Sequence, residues 1–429
     1  MSLEMISGLI KDEDERQLLI NIKHKLEPAP SCSIYRVPRS LRILNAKAYT
    51  PQIISIGPLH YGKEELVDME KQKNRYMESF LNRITIEQWD QILTFVKDNE
   101  QHIRNCYEET FNLGSTEFVG MILYDAVFIM ELFWRYYRRD LYFESDFLLN
   151  RMASYCSLGM DLLLLENQLP YFVLEKLYNL AFVNPHYPTF MDLSSIYFSK
   201  LMFDVHTPQE VVVIHFTDLI RTSLLNNYPK VEYARGIVGL PCAVKLQESG
   251  IKFKGIEREC LLDIRLEKRK QRNIPFFQVH ELQIPMLIVN EHTETFFRNI
   301  MALEQCHYSR DTRICNYIHL MDTFIDTEKD VDLLVGKRII NNCFGDSASV
   351  TNMFNKLGLQ ISMPGTCYYE LGEELKAHFN NPLNHAKATL KRVYFSNPWK
   401  GTATVAAVTL LLLTVIQTIC SMRQANWIV

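Results

Sequence analysis

Two long apolar runs dominate the chain, and they differ in what interrupts them. From Phe118 to Trp134 only Asp125 and Glu131 break the apolar pattern. Ser115 or Thr116 is placed to cap that segment, Glu117 suits its first turn, and Arg135, Arg138 and Arg139 suit its end, so it reads as a central core helix. Between Lys400 and Arg423 the chain reads GTATVAAVTLLLLTVIQTICSM, with no charge at all. At about 1.5 Å per residue this run spans roughly 30 Å, the thickness of a bilayer core. A soluble helix of that length keeps a charged face, and this one has none. The expectation is one C-terminal transmembrane helix over 401–422, followed by a short tail, 423–429.

The remaining pattern predicts more helix. Glu4 to Leu26 is a modest amphipathic helix stopped by Glu27-Pro28-Ala29-Pro30, so 1–30 form an N-terminal helix and linker. Through residues 31–59, Pro38, Pro51 and Pro58 deny a continuous helix and leave ordered loop, with short extended pieces such as Gln52 to Ile56. Leu66, Met69, Tyr76, Met77, Phe80, Leu81 and Ile84 recur at helical spacing. DLLLLENQLPYFVLEKLYNL predicts two helical pieces, with Pro170 starting the second or kinking the join. Between 250 and 290, IKFK, CLLDIRL and PFFQVHELQIPMLIV alternate and are separated by turn residues, which predicts a small antiparallel sheet. Three helices follow, over 291–306, 316–327 and 331–340, and a last one over 377–395 leads to the apolar run. The fold class is therefore mainly α with a small antiparallel β-sheet, in a body spanning 31–396, plus the single C-terminal transmembrane helix.

Composition changes this picture little. The 429 residues are 47% hydrophobic and 22% charged, which fits a folded body. A net charge of -4 and the lack of a basic-aromatic stripe argue against nucleic acid as a partner. Ten cysteines are scattered without a C-x-x-C pair, so no metal is expected. The N-terminal stretch does not read as a secretory signal, and no N-x-S/T sequon occurs, which favours a reducing, cytosolic setting for the body. Lys387, Lys391, Arg392 and Lys400 precede the apolar run and only Arg423 follows it, so the positive-inside rule places the body in the cytoplasm. About 20 apolar residues fit several membranes, and the plasma membrane is favoured.

Candidate chemistry is sparse. No phosphate-binding glycine loop, dinucleotide fingerprint, zincin helix or nucleophile elbow occurs, and no catalytic, cofactor-binding or metal residue is assigned. Cys242, His292 and Glu294 stand in the wrong order for a zinc deaminase. Pocket candidates remain. In SIGPLHYGKEEL, His60 offers a base and Lys63 a cation, but proline-glycine turn chemistry entering an acid-capped helix accounts for the same residues. Asp125 would have a perturbed carboxyl in its apolar helix. It lies about 240° from Glu131 and so cannot pair with it, and structural bonding is the stronger reading. Asp161 and Glu166, with Asn167 and Gln168, either line a polar pocket or satisfy orphan backbone groups at the Pro170 junction.

Seven blocks, from CSIYRVPRSLRILNAKAYTPQIISIGPLHYGKEEL through MILYDAVFIMELF, DLLLLENQLPYFVLEKLY, LPCAVKLQESGIKFK, TETFFRNIMALEQC and YIHLMDTFIDTEKDVDLLVGKRIINNCFGD to YFSNPWKGTATVAAVTLLLLTVIQT, resemble successive blocks of the plant family named "domain of unknown function 247". The resemblance covers roughly 22–421. It implies a C-terminal membrane helix and no known catalytic residue. Some grass members of that family are associated with pollen-side self-recognition, which no residue here carries over. The function expected is a membrane-anchored interaction or recognition module with an unidentified protein partner. The alternatives are an enzyme with an acidic pocket and a lipid-associated protein.

Overall fold

The computed structural model describes residues 28–139, 146–150, 152–199, 212–225, 228, 235–258, 260–270, 278–394 and 398–426. The N-terminal helix expected over Glu4 to Leu26 lies outside them. Helices α1 (Val67–Leu81), α2 (Ile86–Asp98), α3 (Ser115–Tyr137), α4 (Met152–Asp161), α5 (Tyr171–Ala181), α6 (Phe190–Phe198) and α7 (Phe216–Leu224) form the first part of the body. α3 is its axis, packed by α1, α2, α5 and α6. Phe133 stands at the centre of an aromatic cluster, with ring centroids 4.5 Å from Tyr197, 5.5 Å from Phe216 and 5.9 Å from Phe190. Such offset and tilted contacts add to simple area burial.

Local chemistry starts these helices. α2 and α6 open with reciprocal capping boxes, Thr85 with Gln88 and Thr189 with Asp192. His215 opens α7, its Nδ1 accepting the Asp218 N–H at 3.3 Å. The residue before α3 is Gly114 rather than a capping Ser115 or Thr116, because the Ser115 hydroxyl instead donates to Glu100 Oε2.

Strands β1 (Lys252–Ile256), β2 (Arg265–Lys270) and β3 (Gln278–Pro285) form a sheet in the order β1-β3-β2. The expected antiparallel pairing is present between β2 and β3, and β1 joins β3 in parallel. A second, parallel pair unites β4 (Leu287–Val289) with β5 (Ile340–Asn342), across α8 (Thr293–Cys306), α9 (Arg313–Phe324) and α10 (Glu328–Gly336). β5 takes Ile340, which periodicity had placed at a helix end. Then come α11 (Ser347–Leu357), α12 (Tyr369–Asn380), α13 (Pro382–Tyr394) and α14 (Pro398–Asn426). The single helix expected over 377–395 is two, because Asn381 is extended ahead of Pro382. Within α14 the stretch Thr402–Met422 has a mean hydropathy of 2.1 and none of it is buried by the body.

Candidate functional site

The backbone of 52–57 forms no ladder, yet much of it is buried, so its N–H groups need acceptors. They find them on side chains from the 161–168 loop and from α3. Asp161 accepts from Gln52 N at 3.0 Å, Ile53 N at 2.6 Å and Ile54 N at 2.9 Å. Asn167 Oδ1 accepts from Ile56 N at 2.7 Å, and its amide donates to the carbonyls of Ile54 and Asp161. Asp125 Oδ2 accepts from Gly57 N at 2.7 Å.

The same exchange explains why the leucine run is not helical. The pattern DLLLLENQLP was expected to continue a helix, but α4 stops at Asp161 and α5 starts only after Pro170. Gln168 closes the intervening turn, donating to the carbonyls of Leu162 at 2.7 Å and Leu164 at 2.8 Å and accepting from Phe216 N at 2.9 Å. Leu162 to Leu165 are all buried, so the loop is itself part of the core.

The candidates therefore part company. Asp125 lies 2.6 Å from the buried Lys73 ammonium, which also donates to the Ser55 carbonyl at 2.7 Å and to Glu70 at 2.6 Å. Burial pushes the Asp125 carboxyl up to about 6 and Lys73 pulls it back. Burial likewise draws the Lys73 ammonium down, but Asp125 and Glu70 outweigh it and hold it above its ordinary range. Both groups are thus charged at neutral pH. Burial also pushes Asp161 up to about 6 against three backbone N–H bonds.

Glu166 is fully buried at the end of a different cluster. Its Oε1 accepts from Val37 N at 2.7 Å and pairs with Arg42, and its Oε2 takes Arg36 at 3.2 Å. His60 Nε2 lies 3.5 Å from that oxygen, beyond a good hydrogen bond. Desolvation, then the charges of Lys63, Arg36 and Arg42, lower His60 to about 3, so the ring is neutral. Lys63 stands half-buried at the cap of the single turn Glu64–Leu66 and contributes charge rather than contact. Glu131, as expected, faces elsewhere and pairs with Arg83 and Arg135.

A cleft of about 330 Å³ opens beside this network, lined by Lys47, Gln52, Asp161, Glu291 and His292 among others. Of the five candidates only Asp161 borders it, with its oxygens already taken by the 52–54 amides. His60, Lys63, Asp125 and Glu166 do not line it. Among the described residues no group of three or more His, Cys, Asp or Glu side chains is placed to hold a metal.

Sequence reading missed Lys73, Arg36, Arg42 and Asn299. Asn299, from α8, accepts from Leu165 N at 3.0 Å and donates to the Ala48 carbonyl at 2.7 Å, joining both loops. Lys73 had a signal: it is a lone cation three and four residues before Tyr76 and Met77, on the buried stripe of α1. Asn299 had none, because Leu165 and Ala48, the two loop residues it joins, are remote from it in sequence.

Comparison with known proteins bears on the whole chain. A family model described as "plant protein of unknown function" matches residues 34–413. "UPF0481 protein At3g47200" of Arabidopsis thaliana is 29% identical over 433 residues, covering 90% of this chain and 85% of that protein. "Putative UPF0481 protein At3g02645", also of Arabidopsis thaliana, is 28% identical over 172 residues, which is 38% of this chain and 31% of that protein. No solved structure matches.

Proposed function

Because the chain belongs to the plant family of unknown function designated DUF247, we propose that it acts as a membrane-anchored interaction protein, a helical cytoplasmic body tethered by α14 and presenting its surface to a protein partner. The observation that carries this reading is the contrast between the two apolar helices. α3 has most of its apolar residues, and Asp125 and Glu131 with them, buried by the body, whereas none of Thr402–Met422 is buried. An uncharged helix of 21 residues left bare to water would be an aggregation hazard, and a bilayer removes that cost. The basic excess ahead of it supports a cytoplasmic body.

The enzyme reading draws less support. Asp125, Asp161 and Glu166 sit in separate clusters, with the neutral His60 ring beside Glu166, and the three carboxylates are engaged by backbone N–H groups or by lysine and arginine. Such sites order a loop rather than await a substrate.

Deletion of 398–429 tests the anchor: the shortened chain is expected in the soluble fraction, and continued carbonate-resistant pelleting would overturn it. Proximity labelling from the body of the full chain tests the partner. Reproducible protein neighbours that persist in Asp161→Asn are expected, and recovery of no reproducible protein neighbour would count against the interaction reading.

A further inference from the structure

α13 lies between the body and α14, and one side of it is left exposed among the described residues. Leu383, Leu390 and Val393 are 64%, 48% and 48% exposed. At about 100° per residue they fall within about 80° of one another, and roughly opposite Asn384, His385 and Ala388. Those latter residues make the attachment. Asn384 Nδ2 donates to the His378 carbonyl at 3.0 Å, His385 Nε2 meets the Phe379 carbonyl at 2.9 Å, and Ala388 packs where a Cβ on Gly250 would lie 3.5 Å away. The helix is thus held by its polar side and turns its apolar side outward.

Charge and position say what covers that side. Lys387, Lys391 and Arg392 belong to the same helix, and from Leu375 to Val429 the sequence has six lysines and arginines but no aspartate or glutamate. Residues 395–397 alone separate α13 from α14, so the exposed face arrives where the apolar helix would enter a bilayer. A protein groove would need its own run of acids at that height, whereas an anionic leaflet supplies negative charge over apolar chains at the required place.

We propose that α13 is an interfacial helix, lying in the headgroup region of an anionic leaflet with Leu383, Leu390 and Val393 toward the acyl chains, the basic excess of its sequence favouring the negative headgroups. This rests on the anchoring reading of α14. The consequence is orientational. Through Gly250 and His378, α13 is fastened to the segment that opens β1, so its docking fixes which surface of the body faces away from the membrane.

The test uses the full chain, reconstituted in phosphatidylcholine vesicles with or without phosphatidylserine. In a Cys343→Ser, Cys420→Ser background, an environment-sensitive NBD label is attached at Leu390→Cys, or in a second sample at Leu412→Cys. The label at 390 is expected to shift blue and to be quenched by lipids brominated near the headgroup, about twofold more strongly with phosphatidylserine. The combined Lys387→Gln, Lys391→Gln, Arg392→Gln variant is expected to lose that difference. The label at 412 is expected to be quenched by deeply brominated lipids in either mixture. An aqueous signal at 390 with a buried one at 412 would overturn the interfacial helix and leave the anchor standing. Shielding at 390 without lipid quenching would mean a protein or a second copy covers the face, and would also overturn it. Equal quenching in both mixtures would overturn the anionic requirement. An aqueous signal at 412 would instead remove the anchor on which the proposal stands.

Discussion

A Cβ on Gly57 would lie 2.6 Å from the carbonyl oxygen of Gln168 and 2.9 Å from the Tyr107 hydroxyl. Gly57 also has φ of +69°, where a side chain is strained whatever the space. Gly57→Ala therefore adds a steric clash between two buried loops to a left-handed penalty of about 1–2 kcal/mol. The expected loss is at least about 2 kcal/mol, read as a lower urea midpoint of the full chain in detergent. Gly62, at φ +76° with open space around it, is the control. Gly62→Ala is expected to cost only the backbone penalty, and equal losses at the two positions would refute the close-packing argument.

Lys73 and Asp125 form a buried ion pair that also holds the Ser55 carbonyl and the Gly57 N–H. Removing one partner strands the other, which typically costs about 3–5 kcal/mol. Lys73→Met should fall in that range. The double change Lys73→Met, Asp125→Leu should cost less than the sum of the two single changes, though not nothing, because two backbone groups lose their partners at about 1–3 kcal/mol each. A double-mutant cycle on urea midpoints measures the coupling, and strict additivity would rule out a paired site.

Sequence pattern carried the helices well and their junctions poorly, for a physical reason. α3 was legible because its apolar surface is continuous, and the separate destinations of Asp125 and Glu131 followed from helical rotation alone. The Leu162–Leu165 run was misread because four leucines satisfy a helical and a loop environment equally. What decides between them is Asp161, which gives its oxygens to amides about 110 residues earlier in the chain. The break at Asn381 was readable, since a proline restricts the residue before it. Satisfaction of backbone groups before Pro170 is done by Asn167 and Gln168, whereas Asp161 serves the amides of 52–54 instead. The salt-bridged setting of Glu166 needed Arg36 and Arg42, which periodicity does not reach.

His60 and His215 are buried and neutral, lowered chiefly by desolvation to about 3 and about 4 from an ordinary 6.5. Below pH 6.5 the unfolded chain takes protons that the folded one refuses, so these groups make stability fall as pH falls toward 4. Asp125 and Asp161, raised to about 6, act in the opposite sense, since the folded state binds their protons first as pH falls from 6 toward 3.8. Their opposition masks the histidines in the intact protein. His60→Gln should therefore change the slope: relative to the parent, it should gain about 2 kcal/mol on going from pH 7 to pH 5. Urea midpoints at the two pH values check this, and an unchanged difference between parent and variant would show that His60 titrates in the fold as it does in the unfolded chain.

Asn299 offers the sharpest separation of local from global effects. Its amide joins α8 to the Leu165 N–H and the Ala48 carbonyl, and it also donates to the Thr295 carbonyl within its own helix. Asn299→Leu keeps the volume and the helix but leaves two buried backbone groups unpaired, at about 1–3 kcal/mol each. Because those groups belong to the 46–50 and 162–168 segments, the loss should appear first as local opening there. Hydrogen exchange of the full chain is expected to speed up in these segments, while the amides of α3, buried around Phe133, keep their protection. Uniform acceleration across α3 as well would mean that the two loops and the central helix open as one unit.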